Sequence, residues 1–241
     1  VDAVYGLARE VLWPPLRLGI RWTIEGELGI PRHGPVILAS NHVSYLDPLA
    51  LAYVADRRHR RLRFLAKREL FGKQPLGGLL RAAHQIPVDR GTRGAAASLD
   101  DAVGALGAGE CVAVFPEGTI SLDLEPMVGK SGTARLAAAS GVAVTPVGLW
   151  GLQRVMFKGR TPRWRWGVAE VAVVGAPVAV GVDDDVYEAT DRIMAGIAAA
   201  VARAREIYPQ APAADDDGWW VRGPETAVVR PARRDGAGEA G

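Results

Sequence analysis

The stretch "VILASNHVSYLDPLALAYVA", residues 36–55, changes character twice within its length. Residues 36–39 form an unbroken apolar run, as in a strand covered on both faces. A polar loop carrying Asn41 and His42 follows, and from Pro48 to Ala55 apolar residues return at helical density, with proline at the first turn. Strand, polar loop and helix make up the first half of a βαβ unit, which needs a parallel partner strand.

The pattern recurs along the chain. Apolar or β-branched runs at 36–39, 62–66, 84–88, 111–115 and 142–149 alternate with helix-like segments at 48–55, 75–83, 95–106 and 130–140. Alternation of this kind predicts an α/β fold, a mostly parallel central sheet flanked by helices. Two more strands are expected within 168–180, one at an edge because of Pro177, before a long amphipathic helix over 186–207 that Pro209 ends.

The two ends read differently from the middle. In residues 1–22, Val4, Leu7, Val11 and Leu18 follow helical spacing, while Tyr5, Trp13, Trp22, Arg9, Arg17 and Arg21 suit a helix lying in a membrane interface. A helix packed on the core and kinked at Pro14 and Pro15 is the competing reading. Residues 209–241, rich in Asp, Gly, Ala and Arg, read as a flexible tail, leaving 23–208 as the folded domain.

Composition limits the function. With one cysteine, Cys111, no internal disulfide can form, and no Cys/His cluster has metal-ligand spacing, so a reducing compartment without a metal is expected. No segment reads as a signal peptide. The apolar stretch 167–182 is broken by Glu170, Gly175 and Pro177 and falls short of the ~18 residues of a spanning helix. Residues 1–168 hold 22 Lys/Arg against 14 Asp/Glu, and residues 169–241 hold 7 against 13. The net +8 of the first part should face anions, and the −6 of the second, with no recognised reading motif, disfavours nucleic acid.

In an open α/β sheet, ligands bind outside the carboxyl ends of the strands. The loops expected there carry Asn41, His42 and Asp47, then Asp89 and Arg90, then "FPEGT", Phe115 to Thr119. Five residues turn a helix by about 500°, so His42 and Asp47 cannot share a helix face, but they can meet in a tight loop. Two structural jobs stay open: Asp47 before Pro48 as a helix N-cap, and His42 as a satisfied core histidine.

These segments resemble the glycerolipid acyltransferases, the family that includes the lysophosphatidic acid acyltransferases. "NHVSYLD" (residues 41–47) matches the His-x-x-x-x-Asp motif, "IPVDRG" (86–91) resembles the second motif, "FPEGT" the third and "VTPVGL" (144–149) the fourth. Motif order and spacing are kept, and the similarity runs over about residues 30–180. The resemblance implies transfer of a fatty acyl group from acyl-coenzyme A or acyl carrier protein, a co-substrate and not a cofactor, to a hydroxyl of lysophosphatidic acid. His42 would be the general base and Asp47 its orienter. An imidazole with a reference pKa near ~6.5 suits that task, and no acyl-enzyme is needed.

Other residues take expected places in the same frame. Arg90 is the candidate for the acceptor phosphate, since a guanidinium holds two phosphate oxygens, and a salt bridge to Asp89 is its structural alternative. Glu117, Gly118 and Thr119 resemble the acceptor-binding turn, and Lys130 and Lys67 match basic positions of the family. The family usually follows that turn with Arg, whereas this chain has Ile120, which keeps open another lysophospholipid, glycerol phosphate or a glycolipid as acceptor. No G-x-S-x-G elbow surrounds Ser44 or Ser121, and Cys111 opens an apolar run, so a protein nucleophile is not expected. "GALGAG" (104–109) follows a helix and reads as its stop.

Two basic clusters remain, Arg57, Arg58, Arg60, Arg61, Arg63, Lys67 and Arg68, and the Arg/Lys/Trp-rich segment 150–166. Both suit an anionic membrane surface and equally coenzyme A phosphates or an acidic carrier protein, with a merely solvated face as the structural alternative. The combined expectation is a peripheral enzyme on the cytoplasmic face of the membrane. A non-catalytic lipid-binding protein is the alternative from another class.

Overall fold

The structure, a computed structural model, describes residues 2–88, 92–212 and 218–221. Helix α1 (Asp2–Gly19) leads into β1 (Ile20–Glu25), followed by β2 (Val36–Ser40), α2 (Asp47–Asp56), β3 (Leu62–Lys67), α3 (Arg68–Phe71), α4 (Leu76–Ala82) and β4 (Ile86–Val88). The second half comprises α5 (Thr92–Gly107), β5 (Cys111–Val114), α6 (Gly132–Ser140), β6 (Val144–Trp150), β7 (Val168–Val174) and α7 (Val186–Glu206). The seven strands form one sheet in the order β1-β7-β6-β2-β5-β3-β4.

Strands β6, β2, β5, β3 and β4 all run parallel. β7 pairs antiparallel with β6, and β1 lies parallel to β7. The mostly parallel sheet expected from the alternating pattern is therefore present. From β2 the chain crosses to β3 and β4 on one side, returns to fill β5 between them, and then places β6 on the other side of β2. That reversal makes the carboxyl ends of β6, β2 and β5 a topological switch point, the place where open α/β sheets bind ligands.

Strand composition explains why the sheet is covered twice. Val36 and Leu38 point to the layer of α1 and α2, where they pack with Trp13, Leu16, Leu51 and Val54. Ile37 and Ala39 point the opposite way, toward Leu106, Leu136, Ile193 and Ile197 of α5, α6 and α7. Period-two alternation between two apolar layers is what an unbroken apolar run becomes in a strand. Helix α7 lies directly on β6, and a Cβ added at Gly148 would stand 2.3 Å from the backbone of Ala200.

Four sequence expectations change. Residues 20–22 belong to an edge strand, β1, and α1 continues through Pro14 and Pro15 with Trp13 and Leu16 buried, so its last turns pack on the core. The second strand expected near Pro177 is only an isolated bridge, Val178 with Val144. The tail expected from 209 instead begins with anchored residues: Gln210 donates to the Gly167 carbonyl at 2.7 Å, and Trp220 is buried under the Arg154 guanidinium. Residues 213–217 and 222–241 of that segment lie outside the described residues.

The fourth change concerns the first basic cluster, which the fold divides. Arg60 is buried and donates to the carbonyls of Pro31, Gly34 and Gly109. Arg57 pairs with Glu27, Arg58 donates to the Ile30 carbonyl, and Arg63 pairs with Glu110. These four cations hold the turns around the amino ends of β2, β3 and β5, so the run does not form one continuous charged face.

Candidate active site

The loop between β2 and α2 folds back so that His42 and Asp47 meet, with His42 Nδ1 standing 2.9 Å from Asp47 Oδ2. The same carboxyl oxygen accepts the N–H groups of Val43 at 2.6 Å and Ser44 at 2.7 Å. Three donors converge on one atom. The Asp47 carboxyl is turned toward the loop before it and makes no cap to α2, so the N-cap reading gives way to a loop staple. Asp47 is 1% exposed and His42 17%, which excludes the sealed core histidine. With Nδ1 facing the carboxylate, the neutral imidazole keeps Nε2 as its proton acceptor.

Neighbouring strands fix this loop from both sides. Asn41 accepts the Leu149 N–H and donates to the Leu149 carbonyl, extending the β2–β6 pairing by one side chain. The Ser44 hydroxyl approaches the Leu152 and Met156 carbonyls at 3.0 and 2.8 Å and accepts the Leu46 N–H. Just after β5, the ring of Phe115 stacks on the imidazole, centroids 4.4 Å apart at 24°, and Phe64 of β3 lies parallel to Phe115 at 6.1 Å. The His42 carbonyl accepts the Ser121 N–H at 2.8 Å.

Glu117 departs from its expected place in the acceptor-binding turn. It is 3% exposed, and both carboxyl oxygens are engaged with the main chain: Oε1 accepts the His42 N–H at 3.0 Å and Oε2 the Met127 N–H at 3.2 Å. Desolvation pushes its pKa up to about 8 against those two hydrogen bonds. Glu117 is therefore a clamp between loops and is not open to an acceptor. Gly118 has φ 68°, a left-handed turn position suited to glycine, and its N–H closes the turn on the Phe115 carbonyl.

The remaining candidates are spread along the same edge. Thr119 is half-buried, while Ile120 is buried and offers no polar group where the family has Arg. Lys130 is exposed and tied to the turn by its backbone N–H, which donates to the Pro116 carbonyl. Lys67 is exposed at the carboxyl end of β3, two strands from β2. Arg90 lies outside the described residues. Cys111 is buried at the opposite, amino end of β5, where desolvation pushes its thiol up to about 12, an inert environment for a nucleophile.

One buried acid entered the sequence reading only as a break in an apolar stretch. Glu170 in β7 is fully buried, and its Oε2 accepts the Leu152 N–H at 2.7 Å. Burial, followed by the negative charge of Asp47, raises its pKa well above the carboxylate range. A charged residue inside the apolar run "VAEVAVV" was the available signal.

Among the described residues no helix is long and apolar enough to cross a membrane. The fold is similar to the crystal structure of the 1-acyl-sn-glycerophosphate (LPA) acyltransferase PlsC from Thermotoga maritima, with a TM-score of 0.67 and 25% identity over 88% of this chain and 84% of that one. In sequence, the chain is 29% identical over 141 residues to the 1-acyl-sn-glycerol-3-phosphate acyltransferase of Borreliella burgdorferi, covering 58% of this chain and 55% of that protein. It is 36% identical over 135 residues to the lyso-ornithine lipid O-acyltransferase of Rhizobium meliloti, covering 56% and 44%. The matched region thus spans about half the length of these curated relatives. The family model described as Acyltransferase matches residues 21–150, from β1 to the end of β6 and across both loops that meet at His42, and the chain belongs to that family.

Proposed function

We propose that the chain is an O-acyltransferase that moves a fatty acyl group from an acyl thioester to the free hydroxyl of 1-acyl-sn-glycerol-3-phosphate. The observation that carries the proposal is the 2.9 Å pair of His42 Nδ1 and Asp47 Oδ2 at the mouth of three parallel strands. His42 Nε2 accepts the proton of the acceptor hydroxyl as its oxygen attacks the thioester carbonyl. The tetrahedral intermediate collapses, the C–S bond breaks, and the departing thiolate takes that proton back as a thiol. Asp47 holds the tautomer and balances the transient imidazolium. Lys130 beside the turn, Lys67 at the same edge and Arg90 are the proposed contacts for the acceptor phosphate and the donor's anionic groups. The donor is acyl-coenzyme A or acyl carrier protein, with no resident cofactor, and the site of action is the cytoplasmic face of a membrane. The Borreliella and Thermotoga likenesses support the acceptor class.

A second acceptor has its own support. Ile120 is buried where the family places Arg, and the chain is 36% identical to a lyso-ornithine lipid O-acyltransferase. An acceptor without a phosphate fits both facts. Incubating the purified chain with lysophosphatidic acid, other lysophospholipids and lyso-ornithine lipid, each against both thioester types, separates the two. His42→Ala should lower turnover by about 10² or more. Wild-type turnover in that variant would end the proposal.

A further inference from the structure

The loop after β5 reaches His42 twice but has no regular structure of its own. Residues 121–130 form neither helix nor strand, so no backbone ladder sets their path. Yet the Ser121 N–H meets the His42 carbonyl, and the Met127 N–H meets the Glu117 carboxyl that also receives the His42 N–H. Between those two points the chain turns at Leu124, which is buried and held at φ 66°, in the left-handed region. That conformation is unfavourable for a residue with a Cβ and persists only where the surrounding contacts over-determine it.

Those contacts come from two directions. Inside the loop, Asp123 Oδ1 accepts the Glu125 N–H at 3.2 Å and lies 2.7 Å from the Ser121 hydroxyl. From outside, Arg205 in the last turn of α7 donates from Nη2 to the Leu124 carbonyl at 2.6 Å. Its Nη1 donates to both carboxyl oxygens of Glu125, at 3.1 and 3.0 Å, and its guanidinium lies 4.2 Å over the ring of Trp150, the last residue of β6. The Arg205 side chain is 4% exposed. Arg203 in the same turn is instead a surface cation, paired with Glu25 and Glu206. A favourable place at a helix carboxyl end accounts for Arg203 but not for the burial of Arg205. Arg205 commits both terminal nitrogens to the loop while its buried Nε–H has no hydrogen-bond partner among the described residues. A buried donor left unpaired is unfavourable, so this placement serves the loop and not the solvation of the arginine.

We infer that Arg205 is a positioning residue for His42: by pinning Leu124 and Glu125 it selects the loop path that delivers the Ser121 and Met127 N–H groups to the histidine clamp. A buried ion pair contributes little net stability, because desolvation offsets the attraction, so its use here is to choose one conformation of the loop over others. Arg205 stands outside residues 21–150, the part of the chain that the family model matches, so the loop motif is held by a residue beyond it. The inference rests on the acyltransferase reading for its kinetic readout and not for its geometry.

The test compares Arg205→Met with the double variant Arg205→Met/Glu125→Gln in the full chain. Arg205→Met strands the Glu125 carboxylate, so melting temperature and kcat should both fall, kcat by about tenfold with the acceptor KM within about twofold of wild type. The double variant removes both charges of the pair. Its melting temperature should return most of the way to wild type while kcat stays about tenfold low, since the Leu124 carbonyl has still lost its donor. In both variants the His42 imidazole signals in a nitrogen-15 NMR spectrum, identified by their absence from His42→Ala, should shift or broaden. Recovery of kcat together with melting temperature in the double variant would overturn the inference, because Arg205 would then serve stability alone. So would a raised acceptor KM at constant kcat, or His42 signals unchanged in both variants. If the wild-type chain transfers no acyl group, the functional reading fails, while the NMR comparison still decides this one.

Discussion

The backbone N–H of His42 donates to Oε1 of Glu117 at 3.0 Å, so an acid from the loop after β5 holds the histidine of the loop after β2. The other Glu117 oxygen accepts from Met127, and the Ser121 N–H returns to the His42 carbonyl. Position 42 is clamped at both main-chain polar groups, leaving the ring to be set by Asp47 and Phe115. The two family motifs brought together here thus build one element of the site.

Glu117→Ala should leave two N–H groups without acceptors, at about 1–3 kcal/mol each, and should lower kcat more than it raises the acceptor KM. A large rise in KM at constant kcat would return Glu117 to the acceptor. The pH dependence follows from a pKa raised from 4.5 to about 8 by desolvation. The folded chain keeps a proton that the unfolded chain releases, so this group's contribution is full below about 4.5 and is lost as pH rises through about 8. Glu117→Gln should flatten the melting temperature over that window.

Asp47 does two jobs on one oxygen, and two substitutions separate them. Asp47→Asn keeps an oxygen for the Val43 and Ser44 N–H groups but loses the charge beside Nδ1, so kcat should fall by about 10²–10⁴ with little loss of stability. Asp47→Ala should add a loss of about 1–3 kcal/mol for each unpaired N–H. Thermal melts and steady-state kinetics of the two variants check the separation. Equal turnover in wild type and Asp47→Asn would remove Asp47 from the chemistry.

Much of this was legible in the sequence, and the failures share a cause. Strands β2, β5 and β6 announce themselves because burial on both faces demands unbroken apolar runs, and the motif loops follow from where those strands end. β1 was missed although Ile20, Trp22 and Ile24 alternate, because its strand partner, β7, is far along the chain and the preceding helical period ran into it. The Arg57–Arg68 cluster misled for the converse reason: adjacency in sequence says nothing of direction, and Arg60 points inward onto three carbonyls. Glu117 and Trp220 were misplaced because polarity and tail composition report average exposure, not the particular hydrogen bonds or stacking that permit burial.

Trp220 gives a test of the anchored segment beyond α7. It lies under the Arg154 guanidinium at 4.0 Å and edge-on to Tyr208, while Trp219 packs on Phe157. Trp220→Ala should cost about 3–5 kcal/mol, as for a core aromatic. A denaturant melt indistinguishable from wild type would show that this segment leaves the core in solution.

Glu170 offers the sharpest separation of charge from position. Three hydrogen bonds run from it to Asp47: the Leu152 N–H donates to Glu170, the Ser44 hydroxyl to the Leu152 carbonyl, and the Ser44 N–H to Asp47. Burial raises its pKa well above the ordinary carboxylate value, and its Oε1 has no hydrogen-bond partner among the described residues, so Glu170→Gln keeps the acceptor for Leu152 and removes only the titration. That variant should fold and turn over nearly as wild type. Since the folded chain holds a proton here that the unfolded chain loses, wild-type stability from this group falls as pH rises above the carboxylate range, and the glutamine variant should lose that slope. Glu170→Leu leaves the Leu152 N–H without its acceptor, at about 1–3 kcal/mol, and loosens the connection behind Ser44. Its kcat should drop at constant acceptor KM, because Glu170 acts on the histidine loop only through Leu152 and Ser44. If glutamine damages turnover as much as leucine, the group acts as an ionised carboxylate, and its place in the hydrogen-bond chain must be reassigned.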